Sequence, residues 1–167
     1  MKIIAIAPRI GAAVLSLVAF SVMASTGERR SGAGSTFKVK FSDFQAYNYL
    51  IALNVILFVY STVQLVMLVN SNHNSSFSSP FKWVLGVYIC DQLLAFLLFS
   101  ASSSAATASE LSRHGLHNIW PPACATWKLW TFCSKAEAAV AMSFLSSFFI
   151  ITSSILSGYH LSKVPAV

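Results

Sequence analysis

Acidic side chains are scarce in this chain: five among 167 residues, beside eleven basic ones, and charged residues of both signs make up only 10%. So few polar groups cannot wrap a soluble globule of this length. Cysteine occurs three times, and with His114 and His117 it matches no standard zinc spacing, so neither a metal nor a cofactor is expected. Proline occurs five times, and only Pro8 falls inside a long apolar run. There is no internal repeat, no low-complexity tail and no stretch polar enough for a separate soluble domain. The net charge of +6 comes from basic residues set singly or in pairs near the ends of apolar runs. That pattern anchors a chain at a lipid interface and does not build a phosphate-binding stripe, which excludes a nucleic-acid partner.

What the chain has in abundance is hydrophobic side chains, 56% of the total. Four runs, near residues 3–23, 47–69, 83–106 and 138–161, approach or exceed the roughly 20 residues a helix needs to cross about 30 Å of hydrocarbon. None alternates polar and apolar residues with a period of two, which argues against a β-barrel. Helices satisfy the backbone in lipid. The expected fold is all-α, an integral membrane four-helix bundle forming a single domain over residues 1–167. The first run has a second reading as a secretory signal, with Lys2 and Arg9 as its charged start, Ile10–Met23 as its apolar part and Val22-Met23-Ala24 offering small residues for cleavage. N-terminal sequencing separates the two, since cleavage leaves a chain beginning at Ser25.

Asp91 interrupts the third run, "VYICDQLLAFLLF". A carboxylate near mid-span costs roughly 2.5–3.5 kcal/mol on insertion scales and is normally turned inward to a partner. Arg9 is the matching cation. The first and third runs cross in the same direction; Arg9 lies seven residues beyond Lys2, and Asp91 nine beyond Lys82. At ~1.5 Å per residue both sit about 10–13 Å in, within bridging distance of a long guanidinium. Arginine offers a planar fork for two hydrogen bonds to a carboxylate. The preferred arrangement is an Arg9–Asp91 ion pair. The alternative sends Arg9 to the headgroups and leaves a protonated Asp91 bonded to Gln92 or a serine. A proton or ion pathway would want more than one intramembrane acid, and the spans hold one.

Weaker signals surround that pair. Asn54 and Gln64 are candidates for interhelical hydrogen bonds. Ser143-xxx-Ser147 and Ser154-xxx-Gly158 place small residues four apart, which lets helix backbones approach closely within the bundle or between copies. Cys124 and Cys133 share the loop "WPPACATWKLWTFCSK", where a disulfide is expected if the loop faces an oxidising compartment. Cys90 reads as a packing residue. Trp120, Trp127, Trp130 and Phe132 crowd the same loop and read as headgroup-level anchors or a protein contact face. "FKVKFSDFQAYNYL" likewise reads as an interfacial entry to the second span.

Two signals disagree on orientation. With a cytosolic N-terminus the inside segments hold four basic residues, Lys2, Arg9, Lys82 and Lys163. The outside then holds seven, Arg29, Arg30, Lys38, Lys40, Arg113, Lys128 and Lys135, against the usual positive-inside bias. The cysteine pair favours its loop outside, and that orientation is adopted. Glycosylation of the Asn74-Ser75-Ser76 sequon would reverse it.

Four spans, Arg9 in the first, Asp91 in the third, the entry "FKVKFSDFQAYNYLIALNVILFVYSTVQL" and the cysteine and tryptophan loop together resemble the plant Casparian strip membrane domain protein-like family, within the MARVEL-type four-helix proteins. The resemblance covers almost the whole chain. It implies a multi-pass plasma-membrane protein with both termini cytosolic, embedded in the lipid bilayer. It further implies homodimers, heterodimers or larger assemblies with relatives, and a scaffold role that makes the membrane domain a platform for cell-wall-modifying enzymes. Arg9 and Asp91 then take the family's intramembrane basic and acidic positions, and Cys124 and Cys133 its second extracellular loop. Two departures stand out: the N-terminal cytosolic segment is very short, and the first loop lacks the signature of members that build the lignified strip. The chain looks nearer the "like" subfamilies.

No enzymatic role is expected, because His73, His114, His117 and His160 lie in loops or at span ends, away from Asp91. The alternative function is a small channel or transporter subunit, which would want helices broken near mid-bilayer or a polar ring along one face.

Overall fold

The structure is a computed structural model that describes residues 2–32, 35–40, 42, 44–70, 80–116 and 121–163. Its elements run α1 (Lys2–Ala24), β1 (Gly27–Gly32), β2 (Ser35–Lys40), α2 (Gln45–Asn70), α3 (Pro80–His114), α4 (Ala123–Thr126) and α5 (Trp130–Lys163). Four helices are long and apolar enough to span a membrane, over Ile6–Ala24, Gln45–Asn70, Val84–His114 and Trp130–Tyr159. The fold is a four-helix membrane bundle.

α1 packs against α2 and α5, and α3 packs against the same two helices. Hence α1 and α3 face each other across one diagonal, and α2 and α5 across the other. The buried positions explain this arrangement. On α1 they include Arg9, Ala12, Ser16, Ala19 and Met23; on α2, Tyr47, Leu50, Asn54, Leu57, Ser61 and Gln64. On α5 they include Ala136, Ala139, Ser143, Ser146, Ile150 and Ser153. Each series advances by alternating steps of three and four, the repeat of helices that wind around one another with a left-handed twist. Small side chains dominate the inward stripes of α1 and α5, which allows the close backbone approach that association in lipid requires.

Two glycines sit where an aromatic ring of a neighbouring helix presses in. A Cβ placed on Gly11 would lie 2.7 Å from the Phe149 ring of α5, and one on Gly158 would lie 3.1 Å from Tyr88 of α3. Gly11→Ala is therefore expected to push Phe149 off its seat and destabilise the α1–α5 contact by about 1–3 kcal/mol, the usual penalty of overpacking. Resistance to SDS-induced unfolding in mixed micelles checks it; Gly86→Ala, where nothing lies within 4 Å, is the neutral control.

Two helix ends differ from the sequence expectation. The third helix does not stop near residue 106 but continues to His114, and the last begins at Trp130 rather than near 138. Apolar length marks the lipid-crossing part, whereas the helix itself extends through polar residues that suit it. Glu110 and His114 pair one turn apart at 2.8 Å, and Arg113 reaches across to Glu137 of α5 at 2.6 Å. Gly115, at φ 70, ends α3 with its N–H donating to the Leu111 carbonyl at 3.0 Å, the left-handed stop that glycine adopts without strain.

The first connection also holds a hairpin that the sequence reading missed. β1 and β2 pair antiparallel, with Gly27 opposite Lys40 and Gly32 opposite Ser35. The alternation Phe37-Lys38-Val39-Lys40 is a strand signal of period two, and the nearby glycines supply turn residues.

Candidate functional site

The carboxylate of Asp91, on α3, draws a group from each of the other three long helices. Asp91 is fully buried on α3 and Arg9 on α1 is 4% exposed. Arg9 Nη2 donates to Asp91 Oδ2 at 2.8 Å, while Nη1 makes a longer contact of 3.4 Å to Oδ1. From α2 the Tyr60 hydroxyl donates to Oδ1 at 2.7 Å, and from α5 the Ser153 hydroxyl reaches Oδ2 at 3.5 Å. Tyr60 serves twice, because the Arg9 guanidinium carbon also lies 5.9 Å from its ring centre, within cation–π range. Both charges thus leave water together and keep hydrogen-bond partners, the condition under which a buried pair is tolerated.

Tyr60 and the role of Ser153 were not anticipated. The legible signal was a tyrosine deep within the second span, since tyrosine otherwise gathers at membrane interfaces. Gln92, the other partner considered for Asp91, is part-exposed on α3. Tyr60→Phe keeps the ring over Arg9 and removes the hydroxyl. It is expected to lower stability by about 1–2 kcal/mol, the range for a hydrogen bond to a charged group in a membrane bundle. The unfolding midpoint in SDS mixed micelles reads this loss.

A second tie follows the other diagonal. Asn54 Nδ2 on α2 donates to Ser143 Oγ on α5 at 2.8 Å and also to the Leu50 carbonyl at 2.8 Å. Ser146 Oγ donates to the Ala12 carbonyl of α1 at 3.1 Å. Ser147 and Ser154 are buried, Ser147 bonding its own helix at Phe144, and Gly158 sits against Tyr88. The Asn54 Oδ1 atom and the hydroxyls of Ser61, Ser102 and Ser154 are buried without a partner among the described residues. At the serines, small size rather than bonding is what the packing uses.

At the opposite end from the termini, Cys124 on α4 and Cys133 in the first turn of α5 are joined as a disulfide, with Cα atoms 6.3 Å apart. Both are buried, and with them Leu129 and Phe132. Phe132 packs on Phe44 and Tyr47 at ring-centre distances of 5.9 and 6.2 Å, so it belongs to the core rather than to a surface aromatic group. Trp127 and Trp130 are exposed, at 54% and 58%. Lys128 adopts φ 53 in the tight turn between α4 and α5. Cys90, expected as a packing residue, lies on the bundle exterior. Among the described residues no three His, Cys, Asp or Glu gather to hold a metal. Trp120, His117 and Asn74 lie outside the described residues.

These features define a class: a four-span membrane bundle whose charged residues meet in its interior. A family model for the Casparian strip membrane protein domain matches residues 1–163, and the chain belongs to that family. Among curated relatives, it is 41% identical over 157 residues to CASP-like protein UU6 of Physcomitrium patens, covering 92% of this chain and 42% of that protein. It is 36% identical over 156 residues to CASP-like protein UU5 of the same organism, covering 92% and 68%. To CASP-like protein 4A3 of Arabidopsis thaliana it is 32% identical over 165 residues, covering 96% and 52%. The chain thus spans less than half the length of the first of these relatives. No solved structure matches it.

Proposed function

We propose that residues 1–167 form one membrane domain acting as a non-enzymatic plasma-membrane scaffold. It keeps both termini in the cytosol, self-associates or pairs with relatives, and organises a membrane domain where cell-wall-modifying partners gather. The observation that carries this reading is the Arg9–Asp91–Tyr60–Ser153 junction, which ties all four long helices at one point. Polar groups are spent inside the bundle, and the outside offers lipid and neighbouring copies large apolar side chains such as Leu93, Phe96, Phe148 and Ile155. Family membership supports the same reading.

Single-molecule counting of tagged protein at the cell surface tests it. Spots holding two or more copies are expected, and uniformly single copies would remove self-association. A glycosidase-sensitive mass at Asn74 would reverse the orientation. Selective solute flux through liposomes of purified protein would favour a channel or transporter subunit instead.

A further inference from the structure

Gln92 follows Asp91 by one residue, a step of about 100° around α3 that carries its side chain out of the interior. It lies ~1.5 Å deeper than Asp91, inside the hydrocarbon. Gln92 is part-exposed, and its amide makes no hydrogen bond among the described residues. Neither amide atom is among the buried unpartnered ones, so both reach the outer surface of the bundle. Other polar groups on that surface are satisfied locally: Thr62 donates to the Phe58 carbonyl, Ser103 to that of Phe99 and Thr152 to that of Phe148. The Gln92 amide is not. An amide left so in hydrocarbon is strongly unfavourable, because nothing there replaces the water it gave up.

The side chains around it form two parallel rows. Gln92, Phe96 and Ser100 stand four residues apart along one ridge of α3, and Ile89, Leu93 and Leu97 form the next. All but Gln92 are exposed, and Phe96, at 72%, is the most exposed large apolar side chain among the described residues. α3 is also the least covered span: 22% of its apolar stretch is buried, against 33% to 44% in the other three.

From these observations we infer that this face of α3 is where a second copy of the chain docks, ridge into groove, about a two-fold axis along the membrane normal. Copies inserted in the same sense share their depth, so such an axis brings each residue to the level of its own counterpart. Gln92 then meets Gln92 of the second copy. An amide holds both donors and an acceptor, so the two satisfy each other where lipid offers neither. Hydrogen bonds of this kind help hold membrane helices together. The inference rests on the self-association proposed above and gives it a surface.

Cross-linking in membranes of cells expressing the full chain tests it, because there every copy is inserted the same way. Cys90, the free cysteine on the bundle exterior, is first replaced by Cys90→Ser. In that background Leu93→Cys and Ser100→Cys are each expected to give disulfide-linked dimers on mild oxidation. Val59→Cys on α2 and Ile155→Cys on α5, at positions exposed by 53% and 64%, are expected to stay single. Copy counting at low surface density then reads the amide. Gln92→Leu is expected to weaken pairing by about tenfold, and Gln92→Asn, which keeps an amide, to recover part of the loss. Resistance to SDS unfolding should match the parent in both variants, since Gln92 makes no bond within the bundle.

Cross-links at positions 59 or 155 as strong as those at 93 and 100, or undiminished pairing by Gln92→Leu, would each overturn the inference while leaving self-association intact. A parent chain that stays single at every density removes both. The cross-linking arm leaves Gln92 in place, so a misfolded variant at that position does not obscure the answer.

Discussion

Reversing one charge, in Arg9→Asp or Asp91→Arg, is expected to trap the protein in the endoplasmic reticulum and scatter it into aggregates in detergent. Each reversal leaves two like charges facing each other where Arg9 and Asp91 now share a 2.8 Å contact with almost no exposure. Breaking a buried pair costs about 3–5 kcal/mol even when one partner is merely removed, and a domain has only about 5–15 kcal/mol in total. The double exchange is expected to recover part of the loss. Recovery stays incomplete because the Tyr60 hydroxyl and the Ser153 hydroxyl both face position 91, where they now meet a carboxylate. Surface labelling together with size-exclusion profiles reads the result. Single variants as well delivered and as monodisperse as the parent would show that the junction is not what holds the helices.

Loss of the disulfide, in Cys124→Ser with Cys133→Ser, is expected to act at the other end. The bond closes a loop across a sequence separation of nine. The chain-entropy treatment gives about 2–3 kcal/mol for a loop this short. The effect is expected to concentrate where the bond sits. Leu129 and Phe132 are buried beside the two cysteines, and Phe132 anchors the stack with Phe44 and Tyr47. Hydrogen exchange should therefore rise over residues 121–135, while amides near Asn54 and Ser143 in mid-bundle keep their protection. Reductant applied to the parent protein should reproduce the pattern; unchanged exchange after confirmed reduction would count against it.

Much of this architecture was legible because the lipid imposes simple rules. Apolar length located the spans, and the high cost of stranded charge singled out Arg9 and Asp91. The inward faces were harder to read. In water a buried stripe stands out against polar neighbours, but here the lipid-facing side is as apolar as the core. The stripe is marked instead by small and polar residues, as on α5, where Ala136, Ala139, Ser143, Ser146 and Ser153 are buried while Leu145, Phe148 and Ile155 are exposed. Tyr60 escaped notice for a related reason: its hydroxyl matters only through a partner 31 positions away. The hairpin was hidden because Phe37, Lys38, Val39 and Lys40 also fit an interfacial anchor, and strand pairing depends on a partner segment that composition does not reveal.

Cross-ties on both diagonals have a mechanical consequence. Arg9–Asp91 braces α1 to α3, and Asn54–Ser143 braces α2 to α5. The two levels are offset by six residues along α2, from Asn54 to Tyr60, about 9 Å. A square frame with a single brace still folds toward its open corners, whereas one braced along both diagonals resists shear in either sense. Such a bundle keeps its cross-section under sideways load, as a stiff post does.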